Sequence, residues 1–234
     1  MKALLYKEFK LAMHPICYIF IILFPFMMLI PSYPIGVGFI YILSCYPILF
    51  LGANKGQQSN DLLYSTLLPV RKKDIVLARI FTVIIIQVAY MLLMSALWPL
   101  AYFIQNSIQV SATESGAGTQ PEIPGIGLNG FVSILAIAVI GFAIADLIFF
   151  PIYYKNGKSI VMSTLLTILG FMVYLGVFTI AIPYIPGCEG YSNLLEGSGI
   201  GVQFAILGGA IVISALLHYL VYRISSKRLE QVDF

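Results

Sequence analysis

Residues 80–104 read IFTVIIIQVAYMLLMSALWPLAYFI, a run without a charged side chain in which Thr82, Gln87 and Ser95 are the most polar members. Folded as a helix rising about 1.5 Å per residue, such a run crosses the roughly 30 Å hydrocarbon layer of a bilayer. Five other stretches have the same character: Leu11 to Ile30, Tyr33 to Gly52, Phe131 to Ile152, Ser159 to Pro183 and Gly201 to Tyr222. A closed β-barrel also satisfies its backbone in lipid, but it shows short alternating segments in place of long apolar runs. The expected fold is therefore all-α, a polytopic membrane protein with six transmembrane helices forming one domain over residues 1–234.

Composition agrees. The chain is 60% hydrophobic and 10% charged, against roughly 25% charged residues in an ordinary soluble domain. A mean hydropathy of +0.95 also excludes a disordered chain, which needs low hydrophobicity and high charge density. Cys17, Cys45 and Cys188 are too few and too scattered for a disulfide framework or a thiolate metal site.

All 13 Lys and Arg residues fall on one side of the expected topology. Lys2, Lys7 and Lys10 precede the first span. Lys55, Arg71, Lys72, Lys73 and Arg79 lie between the second and third, Lys155 and Lys158 between the fourth and fifth, and Arg223, Lys227 and Arg228 after the sixth. The opposite side, formed by the Pro31 to Pro34 turn, Gln105 to Gly130 and Tyr184 to Ile200, carries only Glu114, Glu122, Glu189 and Glu196. The positive-inside rule makes both termini and the 2–3 and 4–5 loops cytoplasmic. Glu8 within the basic region, and the lack of a small-residue cleavage site, argue that the first span is retained rather than removed as a signal peptide. No nucleic-acid partner is expected.

The spans are poor in chemistry. Ion-driven carriers usually bury carboxylates, His or Arg at mid-depth, and here Asp146, in the inner half of the fourth span, is the one candidate for a functional intramembrane carboxylate. The favoured reading places Asp146 near the inner interface, facing a neighbouring helix or Lys155. His14 and His218 share no ligand-like spacing with each other, a Cys or a carboxylate, so no metal is expected. The constellations an intramembrane protease needs are missing, and no catalytic residue is expected. Gly157-Lys158-Ser159 resembles the end of a phosphate-binding loop, but the first glycine of that motif would fall at Ile152. Pro15, Pro25, Pro47, Pro99 and Pro151 lie in or beside spans and are sites for kinks. Gly197, Gly201, Gly208 and Gly209 read as small-residue packing positions.

The longest cytoplasmic connection, Ala53 to Arg79, is structured in pattern. Ser59, Asn60 and Asp61 are capping types, followed by Leu62, Leu63, Tyr64, Leu67 and Leu68 and stopped by Pro69. A second helical stretch is expected beyond Arg71 to Lys73, with Asp74 as its cap. The first element either lies on the inner leaflet, Leu face in lipid and basic cluster on headgroups, or fits a groove on a cytoplasmic partner.

The string from Ser59 to Arg79 resembles the loop of type-2 ATP-binding-cassette exporter permeases, in which an acidic, aromatic-containing helix precedes a Leu-Pro-x-x-Arg stretch and a Val-x-x-Arg lead into the third span. Met1 to Phe9 is similar to the amphipathic lead-in of that family, and Pro151 to Lys158 to its proline–aromatic–basic–glycine tract after the fourth span. Val70 directly before Arg71, and Asn156 in place of a common aromatic, depart from the pattern. The nearest branch is that of small permeases exporting amphipathic peptides, including phenol-soluble modulins, or defending against them.

The resemblance implies a non-catalytic permease in a bacterial plasma membrane, working with a second copy of itself or a sister permease and with two separate ATPase subunits. Cofactors are none in this chain; ATP and Mg belong to the ATPase partner. The expected ATPase-coupling interface comprises Asn60, Asp61, Leu63, Tyr64, Leu67, Leu68, Pro69, Arg71 and Lys72, assisted by Lys7 and Glu8, and the expected cargo is amphipathic peptide or lipid-like molecules in contact with membrane lipids. Segment 187–201 is a candidate re-entrant piece. The alternatives are an ion-coupled secondary transporter and an immunity or sensor protein that binds antimicrobial peptides without moving them.

Overall fold

The structure, a computed structural model, describes residues 2–12, 15–29, 70–114, 128–156, 160–177 and 199–231. Every element among the described residues is helical. Helix α1 (Lys2–Lys7) continues into a π-helical turn, Glu8–Ala12. Helix α2 (Pro15–Phe26) tightens into a 3₁₀ turn at Met27–Leu29. The long helices are α3 (Lys72–Glu114), α4 (Leu128–Asn156), α5 (Ile160–Gly176) and α6 (Ile200–Glu230). Three of them, α3, α4 and α6, are long and apolar enough to cross a membrane, and α5 is a shorter apolar helix. The expected second span, 33–52, and most of the candidate re-entrant piece, 187–198, lie outside the described residues.

Helices α3, α4 and α6 outrun the expected spans. Helix α3 extends past Ile104 to Glu114, because the sequence offers no Gly or Pro between Leu100 and Gly116 to stop it. It begins at Lys72, where the Arg71 carbonyl accepts bonds from the amides of Asp74 at 2.9 Å and Ile75 at 3.4 Å. Asp74 is thus inside the first turn and not the cap, a position where its charge still suits the helix dipole. Helix α6 continues from Tyr222 to Glu230 as an amphipathic extension whose Ser225, Ser226 and Leu229 are buried. Its end is tied down by Arg228 Nη1, which donates to the Pro151 carbonyl at 2.6 Å, and by an exposed Lys73–Glu230 pair at 3.3 Å.

Helix α4 is the hub, packing most extensively along α6 and next along α5. Contacts between α4 and α6 advance together, from Ser133–Gln203 through Asp146–His218 to Pro151–Arg228, so these two helices run parallel. Helix α5 runs antiparallel to α4, with the Tyr174 hydroxyl donating to the Ile137 carbonyl at 2.9 Å. Helix α3 also opposes α4, since Arg79 meets Tyr153 at one end and Trp98 stacks on Phe131 at the other, ring centroids 5.3 Å apart.

One core cluster joins Val76, Ile80 and Val83 of α3 to Phe149, Phe150 and Tyr153 of α4. Within α4 the (i, i+4) pair Phe149–Tyr153 stacks at 5.8 Å, the spacing that puts two residues on one helical face. A second cluster gathers Tyr90, Met94, Phe131 and Phe142. Outside, Ile22, Leu92, Phe103, Leu169, Val212 and Leu216 are exposed, a belt far more apolar than a water-soluble surface tolerates and suited to lipid.

Close helix approach falls at Gly141 and Gly170, not at the glycines of α6. A Cβ at Gly141 would lie 2.6 Å from the buried Phe171 ring and 3.0 Å from Tyr174, and one at Gly170 would meet the Ile148 side chain. At Gly201, Gly208 and Gly209 it would meet nothing within 4 Å among the described residues. Gly141→Val is expected to destabilise the fold by about 1–3 kcal/mol through overpacking, read as a lower melting temperature of the purified protein in detergent. Gly209→Val, facing open space, is expected to stay within about 0.5 kcal/mol.

Candidate functional site

Among the described residues, two buried centres containing charged side chains interrupt the apolar interior. The first lies at the end of the bundle where the basic residues collect. Arg79, one turn above the bottom of the α3 core stripe, is 2% exposed, and Glu8, in the π-helical turn after α1, is 3% exposed. Arg79 Nε donates to Glu8 Oε2 at 2.9 Å and its Nη2 to Oε1 at 3.4 Å, a two-pronged guanidinium–carboxylate fork. The third nitrogen, Nη1, donates to the Tyr153 hydroxyl of α4 at 3.0 Å, and the guanidinium carbon lies 5.9 Å from the Tyr153 ring centroid. Lys7 Nζ is 3.8 Å from Glu8 Oε1. A charge this deeply buried is tolerated only with matched partners, so the triplet binds the N-terminal helix to both α3 and α4. The outward side of that helix carries Tyr6 and Lys10, whose ammonium donates to the Tyr6 hydroxyl at 2.7 Å.

The second centre lies deeper. Asp146 of α4 is fully buried, and its Oδ2 accepts from Gln87 Nε2 of α3 at 2.9 Å and faces His218 Nε2 of α6 at 3.0 Å. The other ring nitrogen, His218 Nδ1, is 2.7 Å from the Ser214 carbonyl oxygen. Farther along the same helix pair, Ser133 Oγ donates to Gln203 Oε1, both residues buried. Among the described residues no group of three or more His, Cys, Asp or Glu is placed to hold a metal.

Residues 3–229 match the family model for "ABC-2 family transporter protein", a span that contains both polar centres and every described helix but the first residue of α1 and the last of α6. The chain belongs to the ABC-2 transporter family. No curated protein and no solved structure matches it. ABC-2 membership makes the chain a multi-pass membrane component of the ABC transporter type, a family of permeases that are generally non-catalytic and that in general work with an ATP-binding partner.

Of the sequence-predicted interface of this ABC-2 chain, Asn60, Asp61, Leu63, Tyr64, Leu67, Leu68 and Pro69 lie outside the described residues. Arg71 is exposed just before α3, and Lys72 is half-buried in its first turn. Glu8 faces inward onto Arg79, and Lys7 is buried beside Glu8. Asp146 does not face Lys155. Their separation of nine positions amounts to about two and a half turns at 3.6 residues per turn, which sets them on opposite sides of α4, and Lys155 is exposed. The partners of Asp146 are Gln87 and His218, which come from sequence distances of 59 and 72 residues. The only signal of that pairing in the sequence was the presence of single polar residues in otherwise apolar spans.

Removing one member of the Glu8–Arg79 pair leaves the other charge buried and unmatched, a loss of about 3–5 kcal/mol. Glu8→Leu and Arg79→Met are each expected to destabilise the protein on that scale in detergent unfolding curves. The double variant should recover much of the loss, giving a coupling energy that a surface ion pair would lack.

Proposed function

We propose that this chain is the permease subunit of an ATP-driven bacterial exporter, moving amphipathic peptides or lipid-like cargo outward by alternating access. Two ATPase subunits seat on the cytoplasmic face and hydrolyse ATP with Mg, and the permease works as a pair with a second copy or a sister chain. The reading takes six spans in one domain, termini inside. The observation that carries it is the family match over residues 3–229, joined to the resemblance of Ser59 to Arg79 to a coupling loop.

In this reading Asp61 to Leu68 forms the coupling helix, with Arg71 and Lys72 beside it. The buried fork at Arg79 supports it physically. Arg79 closes the same loop that contains the coupling segment, and it is bonded to the N-terminal helix and to α4. A displacement delivered to the loop therefore reaches three helices through one guanidinium. Closure of the ATPase pair would use that linkage to tilt the spans and move the central cavity from inward to outward access.

Purification of the tagged chain from its native host in mild detergent tests this. A stoichiometric ATPase is expected to copurify with vanadate-sensitive activity. Tyr64→Ala with Leu67→Asp is expected to abolish both association and transport while leaving the amount of permease in the membrane unchanged. A chain that emerges alone, and protects cells from peptides in a vanadate-insensitive way, would support the immunity or sensor reading. Unchanged association and transport in the double variant would remove the coupling role of Tyr64 and Leu67.

A further inference from the structure

The hydrogen-bond geometry around Asp146 bears on where protons sit. Nδ1 of His218 has two neighbours on Ser214, the carbonyl oxygen at 2.7 Å, which only accepts, and the hydroxyl at 3.3 Å, which can donate or accept; the shorter contact favours the proton on Nδ1. Nδ1 holds its proton in either of two forms of the ring. In the neutral form Nε2 is then a bare lone pair, and it would face the Asp146 Oδ2 atom 3.0 Å away. If that carboxylate were ionised, two acceptors would be pressed together at hydrogen-bonding distance. The contact is attractive only when one further proton lies between them, on Nε2 as an imidazolium or on Oδ2 as a carboxylic acid.

We propose that Asp146 and His218 form a proton-binding site inside the membrane, occupied by one shared proton and neutral as a unit. Burial supports this independently of the distances. The side chains are 1% and 13% exposed, and a net charge in that environment is expensive while a neutral pair is not. Gln87 Nε2 donates to the same Oδ2 from α3 and adds no charge. Among the described residues, Arg79 is bonded to Glu8 and Tyr153, Lys73 pairs with Glu230, and Arg228 donates to the Pro151 carbonyl. The buried residues of α5, Ser163, Thr164 and Thr167, are uncharged.

The site is also a fastening. It lies between the Ser133–Gln203 contact and the Arg228–Pro151 contact that hold α6 along α4. Separation of α6 from α4 parts the acid from the base, so the shared proton must go to one of them or leave. Opening of this helix pair is therefore linked to proton exchange. The proton site itself does not depend on the transport reading, and its test reads protons, not cargo.

The test uses the full chain in lipid nanodiscs with ¹⁵N-labelled histidine and His14→Gln, which leaves His218 as the one histidine, together with infrared spectra of the carboxyl region. At pH 7 the expected result is a protonated Nδ1 plus one more proton, seen either as an imidazolium nitrogen pattern or as a carboxylic-acid band. Asp146→Asn is expected to lose whichever signal is present and leave a neutral Nδ1–H ring. A bare Nδ1, or a neutral ring with no acid band, would overturn the proposal. Both readings come from a protein with the pair intact, so poor folding of Asp146→Asn does not decide the matter. If that variant folds and keeps the imidazolium signal, the proton is not shared and the proposal is wrong.

Discussion

A carboxylate among hydrocarbon side chains must be met by groups from other helices, and at Asp146 that requirement sets the register of the bundle. Its neighbours on the same helix are Phe142, Ala143, Ala145, Phe149 and Phe150, all buried and none able to donate a hydrogen bond from its side chain. Gln87 supplies a donor, and His218 a ring nitrogen at hydrogen-bonding distance. Sliding α3 or α6 by one residue along α4 would turn either of them away by about 100°. Apolar packing alone is forgiving of such a slip, because lipid tails solvate Leu and Ile as well as a neighbouring helix does.

The same reasoning accounts for the distribution of polar contacts along α6. Helices α4 and α6 run parallel, which aligns their macrodipoles side by side, an arrangement less favourable than the antiparallel one adopted by α4 and α5. Three polar contacts, at Ser133, Asp146 and Pro151, are spread along this parallel pair. Between α4 and α5 the Tyr174 hydroxyl bond is accompanied by glycine-mediated approach at Gly141 and Gly170, where aromatic and aliphatic side chains occupy the space a Cβ would take.

Membrane residence and the cores of α3, α4 and α6 were legible because hydropathy acts over a whole segment and needs no knowledge of neighbours. Helix ends were less so. Lipid thickness limits an apolar run, but it does not stop a helix, and the extensions to Glu114 and Glu230 continue wherever breakers are lacking or tertiary bonds such as Arg228–Pro151 hold. The inward faces were illegible from apolar periodicity, since a span that is apolar all round has no stripe to read. Helical phase did contain one usable clue, that Asp146 and Lys155 point opposite ways. It could not name His218, whose approach depends on the parallel placement of α6. Arg79 stood in plain view at the edge of an apolar run, yet its partner is 71 residues earlier, and only the folded arrangement brings the two together. The coupling segment, resting on resemblance, lies outside the described residues.

Helix α3 is far longer than the layer it crosses. Its 43 residues span roughly 65 Å at 1.5 Å per residue, about twice the hydrocarbon thickness. The fork at Arg79 grips it near one end, leaving about 52 Å of rod to Glu114. A rod held this way has mechanical advantage: rotation of about 10° around the gripped end sweeps the far tip through about 9 Å. Small angular adjustments at the Arg79 end thus become displacements comparable to a helix diameter at the Glu114 end, with no need for the helix itself to refold.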